Sequence, residues 1–477
     1  MGLGSRALRA PATPGAAVLA VALTIGSFGY GFDRDELYFR MLRPAWGYVD
    51  QPPLTPYLAR TLAGIVDQPF FVRIPATVSV VVALWLVVLM ARELGASPAA
   101  QRIAGLWFAA SFAALGLGHV LLTSTIDLMV WQLIVLFVLR ALVRDEARWW
   151  LWAGLASGLA TYNRDLVTWL LLGIVLGLLL AGPRRWLGTW QVWGGAVVAA
   201  VAAIPNLVWQ ARHDWPQAQM AGAPSDNNGS DVRVFMWVFL VIGISPLALP
   251  VLARGFRALW ARAETRCLPF AFVLTVVLTF VSGAQPHYPI GLMPVLLAAG
   301  VREVGLSSRP WYVGLAGAVN AVIALPVIPL GVLGSTPLPD INLLVADQVG
   351  WPTYVSQVAD VWDGLGPDSQ EQAVIVTSNY GEAGAIARFG PARGLPRPFS
   401  GQNALFDEGP PPEGTTVVVY VGGQVPYVED HFASCTVADR LDNGLDVGNE
   451  EQGLPIAVCV DPDRPWSQLW PLLQHLD

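Results

Sequence analysis

The stretch Gly31–Tyr57, GFDRDELYFRMLRPAWGYVDQPPLTPY, is the polar segment from which the rest of the chain is best interpreted. It lies between two apolar runs, roughly residues 15–30 and 70–91, each long enough to approach or cross a bilayer. Its four carboxylates are Asp33, Asp35, Glu36 and Asp50. Because charge clustered at a membrane surface is costly to hold there, this stretch is the first candidate for a functional site.

The composition is that of a polytopic membrane protein. Of the 477 residues, 13% are charged, about half of the share of about 25% that is usual in soluble proteins. Acidic residues concentrate at one end, with 20 Asp and Glu against 5 Arg in residues 335–477 and 15 against 23 in the remainder. This asymmetry predicts two differently solvated parts joined near Gly334, a membrane domain 1–334 and an extracytoplasmic domain 335–477.

About eleven apolar runs are long enough to suggest spans. They are centred near residues 22, 80, 110, 130, 155, 174, 200, 242, 275, 294 and 322. Every basic residue is an arginine. Of the 23 arginines in residues 1–334, 15 fall in every second loop between the apolar runs, among them Arg6, Arg9 and Arg302. The positive-inside rule makes that set cytoplasmic, so the first outer loop 31–69, the 212–232 loop and everything after Gly334 are predicted to lie outside.

The C-terminal part is predicted to be an α/β domain with a mostly parallel sheet. The runs AVIVTS at 373–378 and TVVVYV at 416–421 are β-branched and bounded by turn residues, as buried strands are, and Glu382–Phe389 is predicted to form a short helix between them. Cys435 and Cys459 suit a disulfide if this part is extracytoplasmic, and the alternative is two unrelated buried thiols.

The acidic residues of the first loop have both structural and chemical interpretations. Asp33 and Glu36 fit the spacing of a helix capping box. This explains Asp35 less well, and a carboxylate at the lipid surface is what a general base needs to accept a proton from an acceptor hydroxyl. Asp50 either caps a helix begun by the two prolines after it or lies near the same site, where it binds a metal or orients substrate.

Two further polar positions occur in or beside the apolar runs. Asp127 is an acid inside a predicted span, which is typical of a functional residue facing the bundle interior, with a hydrogen bond to a Thr or Trp of another helix as the structural alternative. Arg164 and Asp165 stand at the outer end of another span. They either pair with each other, or Arg164 holds a phosphate with its forked donors.

Two histidines lie in predicted outer segments. His213 stands beside Trp209 and Trp215 and fits an interfacial aromatic belt, while His287 and Tyr288 begin a span on the outer face. A lone histidine is more often structural than catalytic. Whether a divalent metal takes part is left open, with Asp50 and His213 as the candidate ligands.

Taken together, these motifs resemble a known family. The sequences DRDELYF, GYVDQPPL, RIPA, STIDL, PNLVWQARHDWP and HYPIGLMP resemble bacterial glycosyltransferase family 39. That family is related to the dolichyl-phosphate-mannose protein mannosyltransferases and the lipid A aminoarabinose transferase, which have the GT-C fold. The tail segments TSNYGEAGAIARFG, LPRPFSGQNALFDEGPP and WSQLWP are similar to the extracytoplasmic domain of one bacterial subgroup.

The resemblance implies transfer of a sugar, mannose by default, from a polyprenyl-phosphate carrier to an acceptor hydroxyl outside the plasma membrane, with inversion. Asp35 matches the first-loop base, with Glu36 beside it, and Asp127 matches the intramembrane acid. Gln51 stands where relatives have Lys or His, so an arginine or a metal must replace that phosphate ligand. The candidate arginines are Arg40, Arg43 and Arg164, and the other donor-site positions are Tyr38, Asp50, Gln51, His287 and Tyr288.

The implied partners are the lipid-linked hexose or pentose donor, membrane lipid, and an acceptor that is a protein, a lipid-linked glycan or a natural product, with no nucleic acid. Two other function classes compete with this one. A transporter or flippase of a lipid-linked substrate should show inverted repeats with broken helices, and none is visible in the sequence. A scaffolding membrane protein leaves the first-loop carboxylates unexplained.

Overall fold

A computed structural model describes residues 10–220, 223–301 and 309–476, without the side chains of residues 223–231. Arg6, Arg9 and Arg302, which contribute to the predicted orientation, lie outside the described residues. The chain forms two compact units. The first comprises Met1–Ser27, Gln51–Thr55 and Arg73–Leu325, and the second comprises Phe28–Asp50, Pro56–Val72 and Pro326–Asp477.

The described part of the first unit is helical. Its α-helices are Thr13–Gly26, Ile74–Glu93, Pro98–Ala109, Phe112–Gly116, Thr123–Arg144, Arg148–Ala160, Val167–Leu180, Trp190–Arg212, Pro216–Met220, Ala223–Ile242, Leu249–Ala261, Cys267–Ser282, Met293–Gly300 and Pro310–Ala324. Its 3-10 helices are Arg184–Gly188, Pro246–Ala248 and Tyr288–Leu292. Several begin at sequence signals for helix starts, as at Ser97, whose side chain accepts from the backbone N–H of Ala100 just ahead of Pro98.

Three of these helices are long and apolar enough to cross a membrane: Ile74–Glu93, Thr123–Arg144 and Trp190–Arg212. A pair bent by 65°, Val232–Ile242 with Pro246–Ala261, adds a fourth if it forms one span. Five shorter apolar helices are also present in the described segments, at Thr13–Gly26, Val167–Leu180, Cys267–Ser282, Tyr288–Gly300 and Pro310–Ala324. The predicted membrane-protein class fits this arrangement, whereas the count of about eleven spans is not confirmed.

Small residues allow two helices of the first unit to pack closely. Gly154 and Gly158, on helix Arg148–Ala160, lie against the backbone of Gly195 and Ala199 on helix Trp190–Arg212, where a Cβ at either glycine would overlap main-chain atoms. Helices in a bilayer gain much of their association energy from such close packing.

The segment after residue 286 is fixed to helix Thr123–Arg144 by a polar contact and by packing. Gln132 Nε2 donates to the Gly291 carbonyl at 2.8 Å, and the ring of Trp131 packs against the Cα of Gly291, which leaves no room for a side chain there. This contact sets the position of His287 and Tyr288 relative to the start of the same helix.

The second unit contains a five-stranded sheet. The strands are β1 Ala373–Thr377, β2 Phe399–Ser400, β3 Val417–Val421, β4 Phe432–Arg440 and β5 Pro455–Pro462, in the order β2-β1-β3-β5-β4. Its α-helices are Arg34–Met41, Leu54–Ala63 (from Pro56 onward), Pro69–Val72, Leu330–Leu333, Leu338–Ile341, Leu343–Ala346, Trp351–Asp363, Pro367–Gln370, Tyr380–Phe389, Val425–Val428 and Trp466–Leu469. The 3-10 helices are Gly390–Arg393, Asn403–Glu408, Glu429–His431 and Trp470–Leu473.

The predicted C-terminal elements are confirmed, but the predicted sheet type is wrong. The two β-branched runs form β1 and β3, and the predicted short helix begins two residues earlier than expected, at Tyr380. Pairs β1–β2 and β1–β3 are parallel, whereas β3–β5 and β4–β5 are antiparallel. The sheet is therefore mixed, because β5, which lies between β3 and β4, runs in the direction opposite to the other four strands.

Cys435 and Cys459 form a disulfide that joins β4 to β5. The two residues are register partners in the sheet and are separated by 24 positions in the sequence. A bridge of this kind stabilises mainly by restricting the unfolded chain.

We expect a double Cys435→Ser, Cys459→Ser variant to lose about 3 kcal/mol of unfolding free energy, the amount typical for a loop of this size. The measurement is the apparent Tm of the purified protein with and without reductant. Reductant should lower the Tm of the wild type and leave that of the variant unchanged, because the remaining thiol, Cys267, is free and buried. Equal Tm values for the two proteins without reductant would contradict the expectation.

Candidate functional site

Helix Arg34–Met41 in the second unit begins with the predicted capping box, which is confirmed. The Asp33 side chain accepts from the Asp35 backbone N–H at 3.0 Å, and the Glu36 carboxylate accepts from the Asp33 N–H at 2.9 Å. Glu36 is fully buried, so its observed role is to hold the start of this helix. Its predicted role in catalysis remains a prediction.

Asp35 stands on the first turn of this helix and is partly exposed. Its Oδ1 accepts a hydrogen bond of 3.0 Å from the Tyr380 hydroxyl, which belongs to the helix that follows β1. Three other carboxylates, of Asp33, Asp50 and Asp347, lie close enough to interact electrostatically with Asp35. The surroundings of the candidate base are thus strongly acidic, with a neutral phenol as a hydrogen-bond donor.

Asp50 lies beside Tyr38 in the second unit. The Tyr38 hydroxyl donates to Asp50 and accepts from the Ala404 backbone N–H at 3.2 Å, and the Tyr38 side chain is buried. Burial raises the pKa of Asp50 from 3.8 to about 7, with further repulsion from Asp35. The helix after the two prolines begins at Leu54, so Asp50 does not cap it, and that alternative is wrong.

The raised pKa of Asp50 makes stability depend on pH. The folded state binds the proton more tightly than the unfolded chain, so this stabilising contribution is complete below about pH 4 and is lost as pH rises through about pH 7. We expect Asp50→Asn to reduce the fall in apparent Tm between pH 4 and pH 8. The upper limit of the effect is about 4 kcal/mol, from the three-unit shift. The exposed Asp363→Asn should keep the wild-type slope, and an unchanged slope in Asp50→Asn would contradict the assignment.

Two of the arginines predicted to bind phosphate are engaged with carboxylates in the second unit. Arg40 donates from Nε and Nη2 to the two oxygens of Asp67 at 3.1 and 2.7 Å, and Arg388 also pairs with Asp67. Arg43 lies 3.6 Å from Glu408, which pairs more closely with Arg397. Both arginines have their charge at least partly compensated by an acid.

Arg164, the third candidate, has a different environment in the first unit. It donates from Nη1 to the Ser124 hydroxyl at 2.5 Å and from Nη2 to the Tyr288 hydroxyl at 2.8 Å, and its guanidinium lies 4.8 Å from the Tyr288 ring centre. His287 Nε2 forms a 2.9 Å hydrogen bond with the same serine. Among the described residues, no carboxylate forms an ion pair with Arg164, so the alternative of pairing with Asp165 is wrong. Asp165 instead accepts from Asn206 at 3.2 Å.

A cavity of about 30 Å³ opens between these side chains. Its lining includes Ser124, Asp127, Trp131, Arg164 and His287. The cavity therefore brings together a guanidinium, a carboxylate, a hydroxyl and an imidazole inside an apolar wall, as in sites that bind a polar group in a mostly apolar pocket.

Asp127 is buried in this wall, with a relative exposure of 5%. Its Oδ1 accepts a weak hydrogen bond of 3.4 Å from Asn163 Nδ2, and its Oδ2 has no hydrogen-bond partner among the residues that the structure describes. Asn163 is itself held by the Thr55 hydroxyl and the Thr123 carbonyl. The hydrogen bond to Asp127 therefore comes from the side-chain amide of Asn163, and not from a Thr or Trp as the structural alternative expected. The Oδ2 atom of Asp127 remains available to accept from a ligand.

The remaining predicted positions include the two candidate metal ligands, His213 and Asp50. His213 forms a hydrogen bond of 2.8 Å with the Trp209 carbonyl and stacks on the ring of Trp209, as expected of an interfacial aromatic belt. Asp50 belongs to the other unit, and Gln51 is buried in the first. No group of three or more His, Cys, Asp or Glu side chains suited to a metal occurs in the parts of the chain that the structure describes.

Three residues with site contacts were not singled out from the sequence: Ser124, Tyr380 and Asp67. Ser124 stands three residues before Asp127, one helical turn away, so helical periodicity could have placed it beside that acid. Tyr380 and Asp67 carry no local signal, because their contacts with Asp35 and Arg40 join distant parts of the sequence.

Comparisons with known proteins agree with this architecture. Residues 50–209 match the family described as dolichyl-phosphate-mannose-protein mannosyltransferase. Apo ArnT from Cupriavidus metallidurans aligns over 93% of this chain and 97% of its own, with 14% identity and a TM-score of 0.56. The undecaprenyl phosphate-bound form of the same protein aligns over the same shares, with 15% identity and a TM-score of 0.57.

No curated protein sequence matches the chain. At 14 and 15% identity, the likeness to the two solved structures shows a shared fold. Together with the family match, which spans residues 50–209, this likeness confirms the resemblance to a GT-C protein of the family 39 type.

Proposed function

We propose that this chain, a GT-C protein of the family 39 type, is a membrane glycosyltransferase that moves a sugar from a polyprenyl-phosphate carrier to an acceptor hydroxyl. The family match supports the transfer chemistry, and the similar fold of a protein solved with undecaprenyl phosphate supports the carrier. Mannose is the default sugar, and the acceptor class is left open.

The observation that carries this proposal is the environment of Arg164. This guanidinium donates to two neutral hydroxyls and forms no ion pair among the described residues, although the carboxylate of Asp127 lines the same cavity, so it can still bind an anionic ligand. Its planar fork matches two phosphate oxygens, while the hydrogen-bonded pair of Ser124 and His287 supplies one further donor, from the serine hydroxyl or from the imidazole according to its tautomer. These groups would also stabilise the charge that develops on the phosphate as the sugar departs.

Asp35 is assigned as the general base that accepts the proton of the acceptor hydroxyl. A sugar or protein hydroxyl has a pKa far above neutrality, so a carboxylate helps by accepting the proton as the new bond forms. The carrier phosphate leaves without needing a proton, so one base suffices. Attack from the face opposite the departing phosphate gives inversion. Glu36 supports the helix that carries the base, and Asp127 is the candidate acceptor for a sugar hydroxyl.

The membrane arrangement belongs to the same proposal. About eleven spans are expected, with the first loop 31–69 and residues 335–477 on the extracytoplasmic side of the plasma membrane. The disulfide between Cys435 and Cys459 supports an oxidising compartment for the second unit. Labelling of single cysteines introduced into the 31–69 loop of intact cells, with Cys267 replaced by Ala, would test this orientation.

Mass spectrometry of products tests the function itself. Purified protein is incubated with a panel of polyprenyl-phosphate sugars and with candidate acceptors. We expect a glycosylated acceptor and free polyprenyl phosphate for at least one donor. Movement of labelled lipid-linked sugar across vesicle membranes without any glycosylated product would overturn the proposal in favour of a flippase.

A further inference from the structure

The helix Tyr380–Phe389 packs against the first-loop helix Arg34–Met41 within the second unit. Gly384 lies on the backbone of Leu37, where a Cβ would come within 2.6 Å of the Leu37 carbonyl carbon, and Gly381 lies beside the Cβ of Arg34. Any larger residue at Gly384 would push the helices apart. This close approach is what places the side chain of Tyr380 at the carboxylate of Asp35.

Tyr380 is held at several points besides this one. Its backbone N–H donates to Gln402 Oε1 at 2.7 Å, and its ring centre lies 4.7 Å from that of Tyr38. The guanidinium of Arg34 lies over the same ring at 4.8 Å and pairs with Glu450. With the backbone of Tyr380 bonded to Gln402 and its ring packed against Tyr38 and Arg34, the side chain has little freedom to leave Asp35.

We infer that Tyr380 is a positioning residue for the candidate base: its hydroxyl fixes the Asp35 carboxylate and stabilises its charged form. This rests on the proposed function, in which Asp35 accepts the acceptor's proton. The 3.0 Å hydrogen bond restricts rotation of the carboxylate and so sets where its second oxygen lies. The C-terminal part of the chain would therefore contribute directly to the chemistry assigned to the first loop.

The electrostatic surroundings make this hydrogen bond consequential. Asp35 is faced by Asp33 on its own helix, by Asp50 on the segment that follows, by Asp347 ahead of helix Trp351–Asp363 and by Tyr380. Where these carboxylates are ionised they repel charge on Asp35, whereas the hydrogen bond donated by Tyr380 favours it. Burial raises the pKa of the Tyr380 phenol well above its usual value, so the phenol keeps the proton that it donates.

The test is Tyr380→Phe, which removes one oxygen atom and keeps the ring contacts with Tyr38 and Arg34. We expect kcat to fall by about 10- to 100-fold, the usual effect of losing a hydrogen bond to a charged group, with the donor KM unchanged. The acidic limb of the pH–rate profile should move to higher pH. Tyr354→Phe is the matched control, because the Tyr354 phenol forms hydrogen bonds of 2.9 and 3.1 Å with Asn449 and Gln452 elsewhere in the same unit. It should keep the wild-type rate and pH profile.

A second measurement does not depend on turnover. Carbodiimide modifies protonated carboxyl groups, and peptide mass spectrometry reads the modified fraction of Asp35 as a function of pH. The midpoint should be higher in Tyr380→Phe than in the wild type. An unchanged midpoint together with an unchanged kcat and pH profile would overturn the inference. A wild-type protein that yields no product, or an Asp35→Asn variant that keeps full activity, would instead count against the proposed function, whatever the modification result.

Discussion

Purified Asp35→Asn protein is expected to lose sugar transfer by about 10²–10⁴-fold, the contribution usual for a positioned general base. The substitution keeps the size of the side chain and an oxygen that can accept from the Tyr380 hydroxyl, so packing at this position is preserved. What it removes is the ability to take a proton. The measurement is product formation at saturating donor and acceptor, with apparent Tm as the check on folding.

The matched control for this variant is Asp33→Asn. Asparagine caps helices about as well as aspartate, so the start of helix Arg34–Met41 should survive the change. We therefore expect Asp33→Asn to lose much less activity than Asp35→Asn. Full activity in Asp35→Asn, with product confirmed by mass, would remove the role assigned to this carboxylate.

Much of the architecture could be predicted because it depends on short-range sequence patterns. The capping box at Asp33 and Glu36 follows from their three-residue spacing, and the strands β1 and β3 follow from uninterrupted β-branched runs. The sheet type could not be predicted in the same way. Whether β5 runs parallel or antiparallel to β3 depends on the path of the chain through residues 422–454, which local preference does not determine.

The candidate site was predictable in its parts and not in its contacts. The sequence indicates that Arg40, Arg43 and Arg164 are all candidate phosphate ligands, since each lies on the predicted outer side. Only the folded chain distinguishes them, because Asp67 and Glu408 form ion pairs with the first two, whereas the third donates to two hydroxyl groups and has no carboxylate within ion-pair distance among the described residues. The sequence shows which positions carry an arginine, but only the side chains around each arginine determine whether it can bind a phosphate.

The same reasoning gives the second large effect, that of Arg164. We expect Arg164→Ala to reduce kcat/KM for the donor by about 10²–10⁴-fold, because two hydrogen bonds to a charged phosphate contribute about 1.5–3 kcal/mol each. The donor KM should rise, and direct binding of polyprenyl phosphate should weaken by a similar factor. Arg164→Lys should recover only part of the loss, since a single ammonium cannot reproduce the planar fork that reaches both Ser124 and Tyr288.

An arginine outside the cavity provides the control for general loss of charge. Arg185 is exposed and pairs with Asp145 at 2.7 Å, so Arg185→Ala should leave both donor binding and turnover at wild-type values. Unchanged donor affinity in Arg164→Ala would show that the phosphate is held elsewhere, even if turnover fell. Arg40 and Arg43, which are paired with acids, would then be the next candidates, and Asp67→Asn or Glu408→Gln should raise donor affinity if one of them binds the phosphate.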